Sequence, residues 1–367
     1  MTCFEPVQDV FLVERMPAAP ASRVGTPGAE SEAELALVPD PQDLEPLGDR
    51  TVVILAHGYS GSDVAPAFDP QRDTTFSKLA EMPAYRALWP RAKFYRLAYR
   101  PGPSYPELAK AAASLIAGTF PRLQFHRNRF VFVGHSAGGL LGRLVAADPR
   151  FWGRVAGIVT VATPHHGSVT SSLLQANALV GRRIGLLNTL LLRHYQGTEP
   201  DTAGMRSLAF DDFDGSIGAE AIALYGMPVN LWLRAFNVVD PHVSRIVAYQ
   251  GVNRNLWGRG QFHVAAELQR RALEKFHPSW GSADPIVHLP SGTFAGKELA
   301  AVHLVPGRSH SELMADPAVL TSVLHDVEQF HRAALADELH AQSEPVPLPA
   351  EVASRFEAPE PRSVLSN

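Results

Sequence analysis

The ten residues from Phe130 to Gly139 constrain the fold more than any other stretch of this chain. They read Phe-Val-Phe-Val-Gly-His-Ser-Ala-Gly-Gly. An apolar run of strand-forming residues passes into Gly-x-Ser-x-Gly, and a helical pattern over Gly139 to Ala147 follows at once. A serine on so sharp a strand-to-helix turn holds a strained backbone, and glycines two positions to either side let the neighbouring chain pass. The turn lifts Ser136 above the carboxyl edge of a sheet, at the positive end of a helix dipole where developing negative charge is favoured. Ser136 is therefore expected to be a nucleophile.

The rest of the chain supplies the sheet. Strands are expected at Thr51 to Ala56, Lys93 to Tyr99, Phe130 to Gly134, Gly157 to Ala162, Arg245 to Gln250 and Ala301 to Val305. Helical patterns lie between them, as at Pro106 to Phe120, and a last helix capped by Asp316 and opened by Pro317 runs to about Ala336. This alternation predicts an α/β fold with a mostly parallel central sheet covered by helices on both faces. From about residue 169 to 237 the alternation breaks into a Leu-rich, then a polar, then another apolar segment, expected to be a lid-like insertion over the sheet. The ends differ in composition. Residues 1–48 read as a Pro-rich, acidic extension, residues 49–337 as the catalytic domain, and residues 338–367 as a Pro-rich surface tail.

Composition removes several classes of function. A net charge of -4 and the lack of any Lys/Arg-rich run give no footprint for nucleic acid. The single cysteine, Cys3, excludes an intrachain disulfide and any cysteine-built metal site. Hydrophobic packing, for which 46% apolar residues suffice, must hold the fold. No signal peptide or membrane span is evident, so the expected location is the cytoplasm.

Three further segments bear on chemistry. Thr51 to Ala56 leads into His57-Gly58-Tyr59, a loop whose backbone can approach the nucleophile; the N–H groups of Tyr59 and Ala137 are the expected oxyanion donors. In this fold the triad order is serine, acid, histidine, so the base should follow the final strand. His310 meets this, whereas His303 alternates within the strand as a structural residue, and His325 and His331 fall in the last helix as solvated ones. The acid is less sharply defined. Asp284, in a Gly/Ser/Pro loop before the last strand, is favoured; Asp240 competes if Val238 and Val239 form the strand instead, and Asp211, Asp212 and Asp214 read as a solvated acidic loop. His165 and His166 are adjacent on one loop without metal-ligand spacing, so they read as a polar turn and no metal is expected.

Residues 51 to about 336 resemble the bacterial triacylglycerol lipases and related lipase-like deacylases of the α/β-hydrolase superfamily. The resemblance rests on His57-Gly58-Tyr59, on Gly134 to Gly139, on Val161-Ala162-Thr163-Pro164-His165-His166-Gly167-Ser168, on Asp284-Pro285-Ile286-Val287 and on His310-Ser311-Glu312-Leu313. The Thr-Pro-His-x-Gly-Ser segment discriminates most, since many hydrolases carry the serine turn without it. The resemblance implies a Ser136, Asp284, His310 triad, oxyanion donors at Tyr59 and Ala137, an ester substrate of small-molecule or lipid type, and no cofactor. Some secreted relatives carry a disulfide and a calcium site; this chain cannot form the disulfide, and calcium is not carried over. The same constellation serves amidases, thioesterases and membrane-acting phospholipases, and a catalytically idle scaffold is the reading of a different class.

Overall fold

A computed structural model describes residues 35–59, 75–100, 102–120, 129–180, 202–217, 227–252, 271, 274 and 286–343. Seven strands form one sheet: β1 (Leu35–Pro39), β2 (Thr51–Ala56), β3 (Ala92–Tyr99), β4 (Phe130–His135), β5 (Val155–Val161), β6 (Ile246–Val252) and β7 (Ala301–Pro306). Their order is β1-β3-β2-β4-β5-β6-β7. All neighbouring pairs are parallel except β1 against β3.

The described helices are α1 (Ser77–Glu81), α2 (Pro83–Ala87), α3 (Tyr105–Thr119), α4 (Ala137–Ala146), α5 (Val169–Val180), α6 (Ala203–Ser207), α7 (Leu231–Val239), α8 (Leu289–Gly292) and α9 (Pro317–Ser343). The central strands are continuously apolar because both sheet faces are covered. Successive residues of β2 and β4 alternate between two cores. Val52, Ile54, Phe130 and Phe132 pack with Leu108, Ile116, Leu140 and Leu141 of α3 and α4. On the other face Val53, Leu55, Val131 and Val133 pack with Leu320, Val323, Leu324 and Val327 of α9. Each such buried side chain contributes about 1.5–3 kcal/mol relative to exposure.

Local chemistry sets the helix starts. Ser104 and Glu107 form a reciprocal capping box at α3. Asp316 accepts from the N–H groups of Ala318 and Val319 at α9, and the Arg308 guanidinium holds its carboxyl below the usual range.

Three expectations need correction, and one alternative falls away. Leu35–Pro39, within the stretch read as an extension, is β1; its alternating burial lets it pair along β3 and cover that strand's edge. The last helix runs past Ala336 to Ser343, because nothing in Asp337 to Ser343 breaks a helix before Pro345. His331 is buried rather than solvated, its Nδ1 lying 2.9 Å from Thr51 Oγ1. Val238 and Val239 end α7 rather than forming a strand. Of the expected insertion, α5, α6 and α7 are described. Among the described residues no helix is long and apolar enough to cross a membrane.

Candidate active site

Ser136 has φ 54° and ψ −130°, a conformation rarely adopted by a residue with a Cβ. Two backbone bonds hold it: its N–H donates to Val161 O at 2.8 Å, and its carbonyl accepts from Gly139 N–H at 3.0 Å. The glycines serve close approach. A Cβ at Gly134 would overlap the backbone of Gly139, and one at Gly138 would overlap the carbonyls of Ala56 and His57. The strand β4, the loop after β2 and helix α4 are thereby packed backbone to backbone around the serine.

His57 fixes the loop after β2. Its buried ring stacks on Tyr99 at 4.0 Å, and its Nε2 accepts from Tyr99 N–H at 3.2 Å. With Nε2 an acceptor, the proton lies on Nδ1, which donates to Gly58 O at 2.7 Å. In a trans peptide the carbonyl and the following N–H point in opposite directions. Holding Gly58 O on His57 therefore turns the Tyr59 N–H away from that ring. Among the described residues neither Tyr59 N–H nor Ala137 N–H donates to a carbonyl.

His310 follows β7 through a turn at Gly307, which has φ 71°. The His135 ring lies 5.0 Å from the His310 ring, and its Nε2 donates to His310 O at 3.3 Å. Tyr59, His135, Ser136, Ala137 and His310 all line one cavity of about 100 Å³. The structure thus brings together four of the five expected site residues.

The fifth, Asp284, lies outside the described residues. The chain just after it is fixed at the cavity: Ser168 Oγ donates to Ile286 O at 2.6 Å, and Gln250 Nε2 donates to Val287 O at 3.2 Å. Asp240 lies elsewhere. It lies between α7 and β6, is not in the cavity lining, and forms a fully buried pair with Arg143 at 2.7 Å.

That pair belongs to a polar network the sequence reading missed. Arg143 also donates to Asn237 Oδ1 at 2.8 Å and to His165 Nδ1 at 3.2 Å, and its guanidinium lies over the Phe294 ring at 4.2 Å. Burial lowers the Arg143 pKa, while Asp240 opposes that shift. His165, whose pKa burial and then Arg143 push well down, is neutral; with Nδ1 accepting, its Nε2 donates to Thr160 Oγ1 at 3.1 Å. His166 places Nδ1 2.9 Å from Asp211 Oδ2 and Nε2 2.9 Å from Ala295 O. Asp211 is therefore buried, not part of a solvated loop. Its neighbour Phe213 stacks on His166 at 3.8 Å, which draws the segment inward. An arginine among Gly, Ala and Leu residues of a helix that opens at the nucleophile is the sequence feature that could have revealed the network. Both histidines of the turn are thus used within the protein, and no group of three metal-ligating side chains occurs among the described residues.

The sheet order, the antiparallel edge strand and the strained serine between β4 and α4 define an α/β-hydrolase fold. A profile of the PGAP1-like alpha/beta domain family matches residues 107–183, which include Ser136. Among solved structures, the mature lipase BlEst2 of Bacillus licheniformis is 14% identical with a TM-score of 0.47, over 76% of this chain and 92% of that one. The Staphylococcus hyicus lipase is 15% identical with a TM-score of 0.46, over 80% and 99% of the respective chains. EstA from Clostridium botulinum is 13% identical with a TM-score of 0.44, over 79% and 89%. No curated protein matches by sequence.

Proposed function

We propose that this chain is a serine hydrolase that cleaves carboxylic ester bonds through an acyl-enzyme, as lipases and esterases do. The observation that carries the reading is the strained Ser136 backbone, φ 54° on a strand-to-helix turn, opening into a cavity that His310 also lines. Strain of this kind persists only where surrounding structure enforces it, and here it falls on a serine that lines the cavity.

In this reading His310 removes the Ser136 proton as Oγ bonds to the ester carbonyl carbon. The oxyanion is held by the N–H groups of Tyr59 and Ala137, each worth about 3 kcal/mol of transition-state stabilisation. The carbon–oxygen bond to the alcohol then breaks, and His310 gives its proton to the leaving alkoxide. Water, deprotonated by His310, attacks the acyl-enzyme and restores the serine. Asp284 accepts a hydrogen bond from His310 Nδ1–H and stabilises the imidazolium. No cofactor enters these steps.

The test is covalent. A fluorophosphonate probe should label the protein at one site, and mass spectrometry of the digest should find the label on Ser136. Labelling that survives in Ser136→Ala, or none in wild type, would overturn the assignment. Matched ester, thioester and amide substrates then separate the chemistries that share this machinery, with the ester expected to turn over fastest.

A further inference from the structure

The cavity above Ser136 has a wall whose side chains are held in place. Met205 in α6 and Leu208 just after it line it together with Ser171 of α5. Helix α6 is tied to the β2 and β3 side of the serine. Thr202 Oγ1 lies 2.8 Å from the Tyr59 hydroxyl, Gly204 N–H donates to Gly102 O at 3.0 Å, and Tyr105 N–H donates to Ser207 Oγ at 3.0 Å. His310 reaches the cavity from β7, which the strand order puts on the opposite side of β4. A base must stand beside the leaving oxygen, so the acyl group of a bound ester extends the other way, toward α6.

Methionine usually adapts to what it meets. Met205 is restrained. The Ser171 hydroxyl lies 2.9 Å from both its carbonyl oxygen and its sulfur, Gln175 Nε2 donates to the same carbonyl at 2.9 Å, and the residue is 2% exposed. Of the serines that line it, the two beside Met205 and Ile286 are already engaged, Ser168 Oγ donating to Ile286 O and Ser171 Oγ to Met205 O. The remaining space is small. A dry cavity of about 150 Å³ accepts a benzene ring, and this one is about 100 Å³.

We propose that Met205 and Leu208 close the acyl end of the site and select short apolar acyl groups, of about four carbons on that volume scale. The proposal rests on the serine-hydrolase reading and adds its substrate class.

The experiment measures kcat/KM for p-nitrophenyl acetate, butyrate, octanoate and palmitate with wild type, Met205→Ala, Met205→Leu and Leu208→Ala, alongside fluorophosphonate labelling of Ser136. Wild type should peak at butyrate, with octanoate at least about tenfold poorer. Met205→Ala should raise the octanoate-to-butyrate ratio about tenfold, while Met205→Leu, which keeps the volume, should not. Leu208→Ala gives the same reading from a second position if Met205→Ala fails to fold. A labelled Ser136 with an octanoate or palmitate optimum, or a ratio unmoved in both alanine variants, overturns the pocket and leaves the hydrolase. An unlabelled Ser136 with no turnover of any ester overturns both.

Discussion

A non-glycine backbone held in a sparsely populated region costs about 1–3 kcal/mol, and Ser136 bears that cost beside His57, whose ring holds the Gly58 peptide. Both ring nitrogens of His57 are engaged, one by Tyr99 N–H and one by Gly58 O. If the Tyr59 N–H holds an oxyanion, His57→Ala should lower kcat roughly ten- to a hundredfold with KM little changed, because the loss falls on the transition state. His57→Asn, whose side-chain amide can still donate to Gly58 O, should recover part of it. Steady-state kinetics of both variants check this; a loss confined to KM, or an equal loss in both, would contradict the assignment. The His-Gly pair and the serine turn were legible because each is a local pattern with one structural solution. His331 was legible too, though misread: Leu320, Leu324, Val327, His331 and Ala334 recur at helical spacing on one buried face.

At the scale of elements, the Arg143 network joins α4, α7 and the turn after β5. Removing one member of a fully buried ion pair leaves an uncompensated charge and costs about 3–5 kcal/mol. Arg143→Met is therefore expected to lower the unfolding free energy by about that amount, read from urea denaturation; a change under about 1 kcal/mol would show that the pair is not buried as described. The same logic separates the two aspartates. Asp240→Asn should act mainly on the urea midpoint. Asp284→Asn should leave the midpoint near wild type and lower kcat by about 10⁴-fold. If Asp240→Asn instead carried the kinetic loss, the acid would be misassigned. Periodicity revealed six of the seven strands but not this network, whose members are far apart in sequence and meet only once the sheet is wound. β1 was missed for a different reason: five residues in a Pro-rich, acidic setting carry too little pattern to stand out.

For the molecule as a whole, buried histidines tie stability to pH. The pKa of His165 is pushed well below its ordinary 6.5, first by burial and then by Arg143 and His166, and that of His242 is lowered by burial. Unfolded, both bind protons near that ordinary value, so below it the unfolded chain binds more protons than the folded one. Their contribution is complete above about pH 6.5 and is lost as pH falls through their folded values. The urea midpoint should thus drop between about pH 7.5 and about pH 5, and less steeply in His165→Gln; equal slopes in the two proteins would exclude His165 as a source. The sheet, its two covered faces and the placing of Ser136 and His310 on one cavity follow from patterns visible along the chain, whereas the cavity's size depends on how α5 and α6 lie against it. Everything proposed for the chemistry rests on Ser136 as the nucleophile. That assignment is tested most directly by p-nitrophenyl ester hydrolysis with wild type and Ser136→Ala side by side at matched folded concentration. Wild type should turn over and the variant should lose about 10⁴-fold or more; wild-type turnover that survives the substitution would rule Ser136 out as the nucleophile.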